Sequence, residues 1–359
     1  MLRIYQKYII KIFLVKFIYI SLVFFSLAII LGLLEEISFF KNSNKNFLYP
    51  YLLTLLNAPS TLFEIFPFIF LLSTQFLLHD FFKRNEINLL KNNGLSNFKI
   101  IKLLFYITLV VGIFNVLIFY NVSSVFKFHY SNIKNTLSND NKYLAMVTES
   151  GLWIKDEINN KKYIIKANEI KKNFLLETVI NEFDDNFKLQ KTIQSKKINI
   201  KNNEWILYDV KILLADNSKL EEEIFRLNSN FNEKKIRNLF NNISTLNLFE
   251  LFNLKKDFVK FGYSTDEIKL HLLKILSLPL FYGILTILSS IVMFNISKDR
   301  NFIFHLIIGI FMSVIIYYIN FIFNSLGNNS KFPIYLSVFF PLVCLTILSI
   351  IGLININEK

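Results

Sequence analysis

Six stretches of about twenty mainly apolar residues decide most of what this 359-residue chain can fold into. At 1.5 Å per residue, such a run makes a helix just long enough to cross a hydrocarbon core of about 30 Å, where every backbone polar group must be satisfied within the helix. The runs fall at residues 12–34, 60–78, 98–120, 270–294, 302–323 and 334–353. Three precede and three follow a stretch, 121–266, in which no run is long enough to span and charged residues concentrate. The pattern predicts an α-helical membrane protein with six transmembrane helices and one large inserted domain. A hydrophobic content of 53% excludes a single water-soluble domain of ordinary composition. Cys344 is the only cysteine, which excludes a disulfide framework within the chain. The first run follows Arg3, Lys7 and Lys11, is span-length and meets Glu35-Glu36, so it reads as a retained helix rather than a signal peptide.

Lys and Arg in short loops are retained on the cytoplasmic side. With the N-terminus inside, the inner segments hold Arg3, Lys7, Lys11, Lys83, Arg84, Lys91, Lys99, Lys102, Lys298, Arg300 and Lys359, and the outer loops hold Lys41, Lys45 and Lys331. Eleven against three places both termini in the cytoplasm and, after an odd number of spans, the insert outside. The organisation expected is therefore 1–120 for spans one to three with an inside helix over 80–94, 121–266 for the outer domain and its connector, and 267–359 for spans four to six. The formal charge of +13 accompanies an abundance of Lys, Asn, Ile and Phe, all with AT-rich codons, so it is not read as a nucleic-acid footprint.

The insert reads as β-rich. Ile206, Tyr208, Val210, Ile212 and Leu214 alternate with Leu207, Asp209, Lys211 and Leu213, and residues 197–201 alternate as well. Asn159-Asn160, Asp184-Asp185-Asn186 and Asn202-Asn203 supply turns, and short strands at this spacing predict an all-β, jelly-roll-like or sandwich domain. Leu246, Phe249, Leu251, Phe252 and Phe258 predict a helical connector into span four.

Chemical motifs are missing. No Gly-x-x-x-x-Gly-Lys loop exists, so ATP hydrolysis by that route is excluded. His79, His129, His271 and His305 have no partners at metal-ligand spacing, and no nucleophile–base arrangement is visible. The acids Asp184-Asp185 and Glu221-Glu222-Glu223 read as solvated charge. Spans one, three, five and six are read as lacking internal Asp, Glu, Lys or Arg, which argues against an ion-coupled transporter.

The inside loop between spans two and three is the most informative segment. Phe82, Leu89 and Leu90 against Glu86 and Asn93 give a short amphipathic helix, ended by Gly94 in a left-handed conformation. It serves either as a helix resting on the membrane surface or as a docking helix whose Glu86 offers a carboxylate to an arginine of a soluble motor protein.

Ala58-Pro59 and Phe66-Pro67, Arg84-Asn85-Glu86-Ile87, Asn93-Gly94-Leu95-Ser96 and Gly151-Leu152-Trp153-Ile154-Lys155-Asp156 occur in order. Phe183-Asp184-Asp185-Asn186 with Leu189-Gln190, Trp205-Ile206-Leu207, Leu270-His271 with Leu278-Pro279-Leu280, and Phe332-Pro333 with Pro341 continue the series. Together they resemble the LptF/LptG (YjgP/YjgQ) permease family of the lipopolysaccharide exporter, more closely its LptG branch. The resemblance implies an inner-membrane permease with a periplasmic β-jelly-roll, itself non-catalytic and without cofactor. It implies pairing with an LptF-type permease, drive from an LptB-type ATPase dimer and delivery of lipopolysaccharide to an LptC-type bridge protein. The coupling segment would comprise Glu86, Arg84, Leu89, Leu90 and Gly94. Lys127, Lys134, Lys269, His271 and Lys274 are candidates for the lipid's phosphates, or else interfacial residues that snorkel. Trp153, Tyr163, Trp205, Ile206 and Tyr208 are candidates for an acyl-chain slot, or else core. The chain departs from family members with a basic residue near the outer end of span one, carrying Gly32, Glu35 and Glu36 there. The rival class is a membrane receptor or scaffold with an outer ligand-binding β domain, against which stands the shortness of every inside segment.

Overall fold

The computed structural model describes residues 3–40, 48–137, 152–158, 161–171, 173–184, 187–214, 218–233, 235–236, 243–261, 264–295, 302–329 and 332–357. The turn at Asn159-Asn160, Gly151, Asp185-Asn186, the 298–300 loop, Lys41, Lys45, Lys331 and Lys359 lie outside these. The chain divides into two compact units, one of residues 1–130, 244–251 and 266–359, the other of 131–243 and 252–265.

In the first unit α1 (Ile4–Phe40), α2 (Leu48–Lys83) and the short α3 (Glu86–Asn92) are followed by α4 (Asn97–Phe114). A π turn over Asn115–Phe119 joins α4 to α5 (Tyr120–Leu137), so the third apolar run becomes one rod that continues past the expected end at 120. After the insert, α6 (Leu248–Phe261) leads to α7 (Asp266–Asn295), α8 (Phe302–Asn328) and α9 (Ile334–Asn357). Among the described residues, six helices are long and apolar enough to cross a membrane, matching the six predicted runs.

α2 and α7 form the centre of the bundle, and α1 and α8 leave most of their apolar surface uncovered. The interior is held by ring packing such as Phe70–Tyr282 (centroids 4.6 Å) and Phe66–Phe119 (5.1 Å). Polar ties between the helices add to it: Thr108 and Thr286 hydroxyls lie 3.1 Å apart, Ser289 donates to the Leu71 carbonyl and Gln75 to that of His305. Gly112 lets α4 approach α7 closely, since a β-carbon there would lie 3.0 Å from Pro279 Cα.

Two ion pairs bracket this apolar layer. Lys16 Nζ lies 2.5 Å from Asp80, and Lys127 Nζ lies 3.5 Å from Glu64. Glu64 and Asp80 are sixteen residues apart on α2, which is about 24 Å of helix and close to the thickness of a hydrocarbon core. Lys16, inside the first apolar run, thus corrects the reading of that span as lacking charge, and it is paired.

In the second unit β1 (Leu152–Ile158), β2 (Lys161–Lys171), β3 (Phe174–Phe183), β4 (Leu189–Asn199), β5 (Glu204–Leu214) and β6 (Lys219–Asn228) form one antiparallel sheet. The sheet bears out the inserted all-β domain, and its order β1-β2-β3-β4-β5-β6 is a simple meander among the described strands, whereas two Greek keys would place non-consecutive strands side by side. Nearest-neighbour pairing follows from tight turns. Asp184, for example, accepts from the Lys188 N–H and the Gln190 side chain, closing the β3–β4 hairpin.

One face of the sheet carries the core, including Ile154, Ile165, Ile180, Ile193, Trp205 and Leu207. The segment after β6 completes it with Phe231 and Ile236, both fully buried. That segment also joins the two ends of the meander. Asp156 of β1, 1% exposed, accepts from Ser229 Oγ (2.7 Å), Asn230 N (3.0 Å) and Asn230 Nδ2 (2.9 Å), and Trp205 Nε1 donates to the Phe231 carbonyl.

The continuous alternation expected over 206–214 is broken. Trp205 and Leu207 point inward, then Val210 and Ile212 do, because Asp209 takes a left-handed conformation (φ 53°). β3 shifts in the same way between Leu175 and Thr178 at Glu177 (φ 46°), and β4 between Ser195 and Ile198. Strand pairing skips Asn168, Glu177, Lys196, Asp209 and Glu223 in one line across the sheet and resumes in unchanged register on both sides. The result is a crease. Ser195 Oγ, 2.7 Å from the Tyr208 carbonyl and 3.0 Å from that of Lys197, satisfies backbone acceptors where pairing lapses.

At one end of the core, Glu182 is buried between Lys161 (2.7 Å) and Lys191 (3.0 Å). Burial alone would raise its pKa, but the two ammonium groups outweigh it and hold the carboxyl below the usual range. A depressed folded-state pKa adds stability that is present above the unfolded value and lost as pH falls through the folded one. Thermal melts of the native protein are therefore expected to fall as pH drops below about 4, with a smaller fall in Glu182→Gln. Both tryptophans lie in this unit, so their emission is the readout. Equal acid sensitivity of the two proteins would count against the assignment.

Candidate functional site

The loop between α2 and α4 is built by two left-handed residues. Asn85 (φ 56°) turns the chain after α2 so that Glu86 can start α3, and Gly94 (φ 80°) ends it, as its position predicted. The Gly94 N–H bonds the Lys91 carbonyl and the Leu95 N–H that of Leu90, a Schellman closure with Leu95 buried beside it. Ser96 then caps α4 by accepting from the Lys99 N–H.

This geometry fixes which side chains face out. Ile87 is buried and Leu90 partly so, both against the bundle, while Leu89 is 60% exposed. The expected pairing of Leu89 with Leu90 on one apolar face is thus divided, because adjacent residues on a helix lie about 100° apart. Glu86 is partly shielded. It accepts a 2.9 Å hydrogen bond from Tyr8 of α1, and Arg84, largely exposed, lies 3.9 Å away. Tyr8 in turn stacks on Phe81 at 6.1 Å. The Tyr8 partner was not readable from sequence, as it lies 78 residues from Glu86.

A second group forms at the opposite end of the spans, where α5 leaves for the insert and α7 returns. Lys127 is ion-paired with Glu64. Lys127 and Lys274 both act electrostatically on His271, and Glu64 acts on Lys274. Tyr120 is buried and donates its hydroxyl proton to the Leu246 carbonyl (2.9 Å), so at 3.1 Å from His271 Nε2 it acts as acceptor and that ring nitrogen carries hydrogen. Asn121 accepts from the Leu248 N–H and Asn247 with Glu250 caps α6 reciprocally, which hold the strand-to-span connection in place.

Three of the five candidate phosphate contacts, Lys127, His271 and Lys274, are therefore brought together. Lys269 is not, being 3.8 Å from Asp266 of its own helix, and Lys134 lies two turns further along α5. Glu64 was missed, although a lone acid within an apolar run is a readable signal.

The five candidates for an acyl-chain slot do not share a face. Tyr163 and Trp205 are buried in the core, whereas Trp153 is half exposed beneath Lys166 and Ile206 and Tyr208 lie on the other side of β5 from Trp205. Alternation along a strand separates 205 from 206 by construction.

Six apolar spans, interrupted after the third by an antiparallel β unit, define a polytopic membrane protein of inserted-domain architecture. The family model described as lipopolysaccharide export system permease LptF/LptG matches residues 7–355, and the chain belongs to that family. No individually curated protein matches it.

Proposed function

We propose that this chain is the LptG-type subunit of an ATP-driven lipopolysaccharide exporter in the bacterial inner membrane. In this reading its termini and α3 are cytoplasmic and its β unit periplasmic. It is non-catalytic: it pairs with an LptF-type permease, an LptB-type ATPase dimer moves it, and the lipid passes to an LptC-type bridge. The observation that carries the reading is α3. A helix of seven residues, bracketed by two left-handed turns, presents exposed Leu89 beside a mostly covered Glu86 carboxylate on a rigid seat. Such a seat transmits a push from a soluble partner, since Ile87 and Leu90 key it to the bundle. Lys127 and Lys274 at the far end of the same spans supply positive charge of the kind that the lipid's phosphates require, with His271 beside them held by Tyr120.

The test is to tag the chain, purify it gently from its native membrane and identify what accompanies it by mass spectrometry. A phosphate-loop ATPase and a second six-span permease are expected together. Recovery of neither across several detergents would overturn the reading in favour of a receptor.

A further inference from the structure

The charge group at the insert end contains an acid that a simple phosphate site would not need. Glu64 lies 3.5 Å from Lys127, yet the two are unequally covered: the Glu64 side chain is 69% exposed and that of Lys127 is 21% exposed. Lys127 is thus fixed on the bundle wall while the carboxylate approaches it from the open side. Glu64 is also the acid whose charge reaches Lys274 of α7. His271 is engaged elsewhere, because its Nε2–H is directed to Tyr120. Glu64 is the acid that meets Lys127 at this level of α2 and α5.

We propose that Glu64 is an exchangeable counter-ion of Lys127: it neutralises this lysine, with its charge also reaching Lys274, and cedes it to a lipid phosphate that binds there. The proposal rests on the permease reading above. Exchange of one anion for another leaves Lys127 paired at every stage, so neither arrival nor departure exposes an uncompensated ammonium group at the edge of an apolar layer. The displaced carboxylate gives up little packing, since most of its side chain is uncovered by the bundle. A carrier must hold its cargo firmly enough to take it and loosely enough to let it go. An acid that returns as the phosphate leaves lowers the cost of release, whereas lysines alone would retain the lipid.

The experiment uses the full assembled complex in lipid nanodiscs, with bis-phosphorylated lipid A, dephosphorylated lipid A and inorganic phosphate as probes. Glu64→Gln is expected to tighten binding of bis-phosphorylated lipid A about tenfold, the scale of one close charge interaction at a protein surface, and to leave the dephosphorylated lipid unchanged. Glu64→Asp, which keeps the charge, stays near the native affinity. Unchanged or weaker binding in Glu64→Gln, an equal shift for both lipids, or a Glu64→Asp that tightens as much as Gln overturns the counter-ion role. Millimolar inorganic phosphate is expected not to compete, and competition by it would make free phosphate the ligand and overturn the lipid assignment. The Lys127→Ala/Lys274→Ala double variant separates this from the underlying reading: if it still prefers the phosphorylated lipid as the native complex does, the phosphate site itself is elsewhere.

Discussion

With α3 as the proposed seat of an ATPase, replacing Glu86 by alanine is expected to detach that partner while leaving the six spans folded. The carboxylate is partly withdrawn from solvent, and its removal would leave an arginine on the partner unpaired in a contact that excludes water. Losing one member of such a pair costs about 2–5 kcal/mol, which is at least a thirtyfold loss of association. Tyr8→Phe provides the graded control. It keeps the ring on Phe81 and removes one hydrogen bond to Glu86, so it should weaken docking by only about 1 kcal/mol. ATPase content of the purified complex, compared across the two variants, is the measurement. A Glu86→Ala complex that retains full ATPase content and lipid release would remove Glu86 from the coupling role.

Asp156→Ala is expected to open the β unit. Three donors, Ser229 Oγ–H and both N–H groups of Asn230, converge on this carboxylate from the far end of the meander. Hydrogen bonds to a charged group contribute about 1.5–3 kcal/mol each, and buried donors left without an acceptor are costly, so a loss of about 3–5 kcal/mol follows after partial repair by water. Trp205 reports the event directly, since its Nε1–H is bonded to Phe231 in the same closing segment. Denaturant unfolding followed by tryptophan emission should show a markedly lower midpoint in Asp156→Ala. An unshifted midpoint would mean that apolar packing of Phe231 and Ile236 closes the sheet by itself.

The spans were readable because run length and hydropathy are set by the membrane, whatever the tertiary packing. Their ends were less readable: the third rod runs to Leu137 through a π turn that nothing in the local composition announces. Of the motifs that carried the family resemblance, Asp156 proves to close the sheet and Trp205 to fill its core, so their recurrence reflects folding as much as transport. The inside loop was read well at Gly94, because a left-handed helix end is a local property of glycine. It was read poorly at Leu89 and Leu90, since only the docking of α3 decides which one turns outward. Strand facing over 206–214 failed at Asp209 for a related reason: aspartate tolerates φ > 0, but the sequence pattern does not say when it adopts it. Glu182 and its two lysines come from three places along the chain, and only the sheet register unites them.

The crease constrains how this unit can vary. Each strand crossing it spends one residue on the change of face, and the register on either side stays intact only because the neighbours spend theirs at the same level. With the neighbouring strands keeping the crease, a single-residue deletion at Asp209 would turn half of β5 inside out, putting Ile206 in the place of Leu207 and the charged Glu204 in that of Trp205. Length changes within the sheet are therefore tolerated at the hairpin tips and forbidden along this line, so divergent relatives are expected to differ in strand length at the rims and to keep the fold line in register as a shared inheritance.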